Sequence, residues 1–261
     1  MSHVAPAIPD ESVLLCEGCG YILSGLPSES RCPECGKAIA ESLPEVRQRP
    51  EWEKTDSDRP AWRRFGRTTM AVIFRSSWFY RTLATRSLGS GSRQFARIHL
   101  LITSILMGLA GTLQLQWLLD LPGLHNWVPH RFDLMQTDVL APLAIGLVGL
   151  LVCGAVCYGT LAGLTAIAAR LTAWEAAFRG YRLPYTVVLR GLDYHSPHYL
   201  PVAAGAFLTV AGYQLLLMLG VLDGLSAPQY LYVLCVEVVV SAGYLFWTYW
   251  VAMRNMLFAN G

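Results

Sequence analysis

The chain is short of charge. Of its 261 residues only 15% are Asp, Glu, Lys or Arg, while 54% are hydrophobic and the mean hydropathy is +0.39. That composition lies outside the range of ordinary soluble domains. Catalytic signatures are missing as well. There is no HExxH, no GxSxG and no GxxxxGK[ST], so zinc-peptidase, serine-hydrolase and P-loop chemistry have no foothold. Gly89 and Gly91 follow no strand pattern and belong to a joint, not to a dinucleotide loop. The opening MSHVAPAIPDESVLL has neither a basic n-region nor a long apolar core, so no cleaved leader is expected. Residues 1–13, rich in Pro, Ser and acids, read as a disordered tail.

What charge there is falls in blocks. Residues 1–60 carry 11 acids and 6 bases, residues 61–97 carry 8 arginines and no acid, and residues 98–261 carry 6 bases and 7 acids. The near-neutral total of +2 therefore hides an acidic head, a basic collar and an apolar body. In the body, four stretches (98–119, 139–169, 199–222 and 230–253) reach the ~20 residues needed to cross a bilayer. None shows the polar face, repeating every ~3.6 residues, of a soluble core helix. The second is long for one span and is expected to extend past the bilayer into the cytoplasm.

Arginine placement sets the expected orientation. Arg75, Arg81, Arg86, Arg93 and Arg97 precede the first span, and Arg131 alone lies in the next connection. Arg170, Arg179, Arg182 and Arg190 lie between the second and third spans, the connection DGLSAP has none, and Arg254 follows the fourth. Rich and poor flanks alternate, which puts both termini in the cytoplasm. Residues 63–86 interleave arginine with Trp, Phe, Tyr and Ile, the pattern of a helix lying in the membrane interface. Arg75, Arg81, Arg86, Arg93 and Arg97 are the candidate lipid contacts, serving either as a topological collar or as anionic-lipid ligands. Residues 62–92 thus form an amphipathic segment ending in the joint LGSGS, and 39–61 read as an acidic, polar linker.

The head holds Cys16-x2-Cys19 and, twelve residues on, Cys32-x2-Cys35, with Gly20 and Gly36 after each second cysteine. Glycine there permits the left-handed backbone of a tight knuckle. Two such knuckles make a closed four-sulfur site for Zn2+, structural because no coordination position stays open. YILSGL reads as a strand and PSES as a turn, giving a short hairpin between the knuckles within 14–38. A lobe of about 25 residues cannot fold on apolar burial alone, whereas structural zinc supplies about 10–16 kcal/mol in finger peptides. The alternatives are two disulfides, disfavoured in a reducing cytoplasm, and a rubredoxin-like iron, for which twelve intervening residues leave little room. The acidic head argues for a protein partner over nucleic acid.

The head resembles the short CxxCGYxLxGL…CPECG ribbons that begin many bacterial membrane proteins of unassigned function. Over about 62–255 the chain resembles the YIP (Ypt/Rab-interacting) family of polytopic membrane proteins. The motifs are VIFRSSWFYRTL before the first span and YRLPYTVVLRGLDYHSPHYLPV entering the third. Two features depart from the family pattern: Ser76-Ser77 stands where proline is usual, and four spans are counted where five are usual, unless 139–169 holds two. The resemblance implies a non-enzymatic membrane adaptor; the GTPase role of eukaryotic relatives is not carried over to a ribbon-bearing chain.

Within the body Glu237 stands out, because an intramembrane carboxylate is costly and marks a functional hypothesis. Its expected partners are Gln214, Gln114 or Gln116, with the acid acting as interhelical glue or, alternatively, as the working group of a small transporter or channel. Asp193, His195 and His198 read as an interfacial polar loop in preference to metal ligands. Cys153 and Cys157 read as packing residues, and Gly146, Gly149, Gly154, Gly159 and Gly163 as close-approach positions.

The expectation is therefore an all-α polytopic bundle of about four spans (93–261) in the inner or plasma membrane, with an N-terminal four-cysteine zinc ribbon. Its partners would be the bilayer, an unidentified cytoplasmic or membrane protein and, optionally, further copies of itself. An adaptor or scaffold is the first reading. The transporter using Glu237 is the second, and a membrane-tethered nucleic-acid sensor the third.

Overall fold

A computed structural model describes residues 13–55, 58–85, 90–119, 140–221 and 227–260. The expected tail thus lies almost wholly outside the described residues, as do Arg86, Arg131 and the first two residues of the LGSGS joint. The described chain is mostly helical: α1 (Ala61–Phe74), α2 (Ser76–Thr82), α3 (Gly91–Leu119), α4 (Leu140–Phe178), α5 (Tyr185–His195), α6 (Tyr199–Met218) and α7 (Ala227–Arg254). Four helical stretches, Gly91–Leu115, Ala144–Phe178, Tyr185–Met218 and Pro228–Arg254, are long and apolar enough to cross a membrane. α4 runs unbroken for 39 residues, about 58 Å at ~1.5 Å per residue. No break divides it into two spans.

The chain forms two compact units. One comprises Met1–Ile98, Gly163–His198 and Leu245–Gly261, the other His99–Ala162 and Tyr199–Tyr244. The second unit is built on close approach and a few polar ties. Gly108 of α3 lies against Leu150 and Gly154 of α4, Gly111 against Cys153, and Gly149 against Thr112. Small residues let these backbones meet. Of the five glycines expected to do so, Gly149 and Gly154 do, while Gly146, Gly159 and Gly163 face open space. Tyr213 stacks on Tyr230 with ring centroids 3.9 Å apart, and the Tyr230 hydroxyl donates to Gln114 Oε1.

The first unit is a packed platform. Its aromatic core joins Phe65 of α1, Phe79 of α2, Phe95 of α3 and Tyr194 of α5, with neighbouring centroids 5.1–5.4 Å apart. α1 turns Thr68 and Val72 inward and leaves Trp62, Met70 and Phe74 exposed. These two sets lie on opposite sides at ~3.6 residues per turn. Arg75 breaks the helix before Ser76 with φ −133° and ψ 36°.

Residues 39–54 carry three short 3-10 turns, Ile39–Ser42, Pro44–Val46 and Glu51–Glu53, and bury Ile39, Ser42 and Arg47. A parallel bridge pairs Gln48 with Leu83. The third turn delivers Glu53 to a buried ion pair. Arg190 of α5 donates through Nη1 and Nη2 to the two Glu53 oxygens at 2.8 and 2.7 Å, and Tyr194 Oη donates to Oε1 at 2.6 Å. Arg190 Nε donates to the Ala84 carbonyl at 2.8 Å. Both charged side chains are about nineteen-twentieths buried, so each depends on the other for its solvation.

Removing one partner of such a pair strands a buried charge, at a cost of about 3–5 kcal/mol. Glu53→Ala is therefore expected to destabilise the chain by about that much. Glu53→Leu combined with Arg190→Met should recover most of the loss. Denaturation midpoints of the detergent-purified variants measure both, and a double variant as unstable as Glu53→Ala would contradict the pairing.

Candidate metal centre

The four cysteines lie on two knuckles with the same internal wiring. In the first, Cys16 N donates to Tyr21 O and Gly20 N to Cys16 O; in the second, Cys32 N donates to Lys37 O and Gly36 N to Cys32 O, all at 2.8–2.9 Å. Single antiparallel bridges flank them, Leu15 with Ile22 and Arg31 with Ala38. Gly20 and Gly36 have φ of 79° and 73°, the left-handed backbone that glycine adopts without strain. Among the described residues no strand forms, and the expected hairpin is reduced to these two bridges. The physical reason is size: Cys16, Leu23, Cys32 and Ile39 are the buried residues of the head's own core, too few to support a sheet face.

This wiring brings the sulfurs together. Cys16 Sγ lies 3.5 Å from Cys35 Sγ, and Cys19 Sγ lies 3.6 Å from Cys32 Sγ. All four fall within 4.8 Å of one another. The pairs are too far apart for disulfides, and all four cysteines are free. A tetrahedron with metal–sulfur bonds of ~2.3 Å has sulfur–sulfur edges of ~3.8 Å, so the donor set fits a four-coordinate ion. Burial raises the Cys32 thiol, but amide hydrogen bonds from Cys35 and Glu34 and thiol contacts with Cys19 and Cys16 hold it down at about 7. Burial pushes Cys19 up to about 12. Thiolates are the metal-binding form, so binding displaces protons and weakens as pH falls.

The head is not a free lobe within its unit. Asn260 is buried and donates through Nδ2 to Leu15 O at 2.7 Å and Ser42 O at 2.6 Å; its Oδ1 accepts from Leu15 N at 3.1 Å and from Arg182. Arg182 also donates to Val13 O at 2.6 Å. Arg47 pairs with Glu17 at 2.7 Å and donates to Leu83 O and Asn255 O. The Phe258 ring covers Gly20 so closely that a Cβ there would lie 2.6 Å from it.

Glu17, Arg47, Glu53, Arg182, Arg190 and Asn260 are not site candidates by sequence. Arg182 and Arg190 count there as topological charge, and nothing local distinguishes a solvated arginine from a buried one. Asp193, His195 and His198 do not form the expected polar loop. They lie buried at the end of α5 and in the turn Ser196–His198. Asp193 accepts from Ser92, His195 pairs with Thr248 and His198 with Ser76. Among the described residues, three or more metal-ligating groups come together only at the four cysteines.

Glu237 and Gln214 do not pair. Gln214 Nε2 donates to Leu113 O at 2.7 Å. Glu237 Oε1 fills the space beside Gly205, and its Oε2 is buried with no hydrogen-bond partner among the described residues. Gln114 is engaged by Tyr230 instead, and the Gln116 side chain lies outside the described residues. Arg75, Arg81, Arg93 and Arg97 are exposed. No family model, curated protein or solved structure matches the chain.

The two glycines separate knuckle strain from docking. Ala at Gly36, which faces open space, should cost about 1–2 kcal/mol from the left-handed backbone alone. Ala at Gly20 should cost about 1–3 kcal/mol more, because the Phe258 ring must move. Metal affinity and proteolysis of the head measure the difference; equal effects would contradict the Phe258 contact.

Proposed function

We propose that the chain is a non-enzymatic integral membrane adaptor of YIP-like type, in which Cys16, Cys19, Cys32 and Cys35 hold a structural Zn2+. In this reading both termini lie in the cytoplasm of the inner or plasma membrane, and the head docks a protein partner. The observation that carries it is the head itself: a four-sulfur cluster, knit to the platform on one side, that leaves Tyr21 and Ile22 of the first knuckle 40% and 55% exposed. A closed site shapes a surface and leaves no position for substrate. An aromatic and an aliphatic side chain held out on a rigid knuckle have the chemistry of an interface anchor. The arginine distribution supports the orientation.

A photo-crosslinking residue at Ile22 tests this in cells. One discrete adduct is expected at Ile22, none from the exposed Glu34 position, and none once all four cysteines are serine. Adducts of equal yield from both positions, or from the serine variant, would contradict docking by the intact head. Glu237 Oε2, buried without a hydrogen-bond partner among the described residues, supports a second reading, a small transporter or channel, which requires liposome flux that Glu237→Gln abolishes.

A further inference from the structure

The last two turns of α7 face α1 and α2 across a cavity of about 570 Å³, all within the platform unit. Its walls are of two kinds. Ile73, Phe74 and Trp247 are apolar, whereas Ser77, Arg81 and Arg254 are polar or cationic, and no described residue lining the cavity is acidic. Both arginines are oriented. Arg81 Nε donates to Asn255 Oδ1 at 2.9 Å, and the Arg254 guanidinium lies 5.0 Å above the Trp250 ring. Neither forms an ion pair with a described carboxylate, so two guanidiniums face a cavity that offers them no anion.

The order of these residues along α7 has a direction. From Trp247 to Arg254 is seven residues, about 10 Å of helix, and over that distance the wall passes from indole to guanidinium at the end of an apolar span. Indoles settle at headgroup level in a bilayer, and guanidinium is the side chain suited to a phosphate oxygen pair. A free phosphate would use the arginines and leave the apolar wall without a purpose. A phospholipid uses both, with its ester chains against Phe74 and Trp247 and its phosphate between Arg81 and Arg254.

We propose that this cavity binds the phosphate group of an anionic phospholipid. The site deepens the membrane reading above and rests on it, but not on the docking of a protein partner. Retention of the chain in the membrane fraction after an alkaline wash tests the membrane reading separately, so the two fail independently.

The test uses the detergent-purified full chain, titrated with dioctanoyl phosphatidylglycerol, dioctanoyl phosphatidylcholine and glycerol phosphate, and read by native mass spectrometry. Phosphatidylglycerol is expected to bind more tightly than either competitor. The Arg81→Ala/Arg254→Ala pair should weaken it about 30-fold, at the strength of interfacial arginine–lipid attraction. The Arg63→Ala/Arg67→Ala pair, which removes two collar arginines outside the cavity, should leave it unchanged. Each of these side chains is exposed, so folding is not at stake. Equal losses in both pairs would mean diffuse attraction to the collar and would overturn the site. Glycerol phosphate binding as tightly as the lipid would overturn the lipid as occupant, and equal binding of phosphatidylcholine would overturn charge recognition.

Discussion

The side-chain amide of Asn260 makes four hydrogen bonds in a space closed to water, to Leu15 twice, to Ser42 and to Arg182. Its backbone N–H adds a fifth, to Glu17. A buried amide left with broken bonds costs about 1–3 kcal/mol for each unsatisfied group, so these five bonds hold one another in place. Leu15 adjoins the first cysteine, Ser42 ends the first turn after the second knuckle, and Arg182 lies in the connection between α4 and α5. One side chain thereby joins the candidate metal centre to the helices. The Arg47–Glu17 pair repeats the arrangement, reaching the carbonyls of Leu83 and Asn255.

The consequence concerns what an ion in the head would do. The head's own core is four buried residues, which cannot fold unaided. The proposed zinc would supply the missing free energy, and the Asn260 network would pass its effect to residues 255–260. The Glu53–Arg190 pair has a separate role, tying the turn Glu51–Glu53 to α5 beside the aromatic core. Neither node is surface electrostatics, because both are buried. They differ from Arg81 and Arg254, which are exposed and form no ion pair with a described carboxylate.

Two kinds of feature are legible in the sequence. The cysteine spacing is legible because a knuckle is a six-residue object: its turn, its glycine and its sulfurs are all local. The four apolar helices are legible because length and hydropathy alone decide whether a segment can cross a bilayer. The strand expected in YILSGL does not form, since β-propensity has no sheet to join there and yields a single bridge at Ile22. Arg182 and Arg190 pass for topological charge because a charge count weighs paired and solvated arginines alike. Asn260 is invisible to any local pattern, because its role comes from partners up to 245 residues away. Asp193, His195 and His198 look like a loop because Pro197 suggests a break; a 3-10 turn accommodates the proline and keeps all three side chains buried.

Through Asn260 and Arg47 the four-cysteine head and residues 255–260 are tied into one piece that should unfold cooperatively. Amide hydrogen exchange of the purified chain, with zinc and after chelation, tests it most directly. Chelation should strip protection from residues 14–42 and, together with them, from residues 255–260, while the α3 and α6 segments of the second unit keep theirs. Protection that persists at 255–260 after the head has exchanged fully would contradict it.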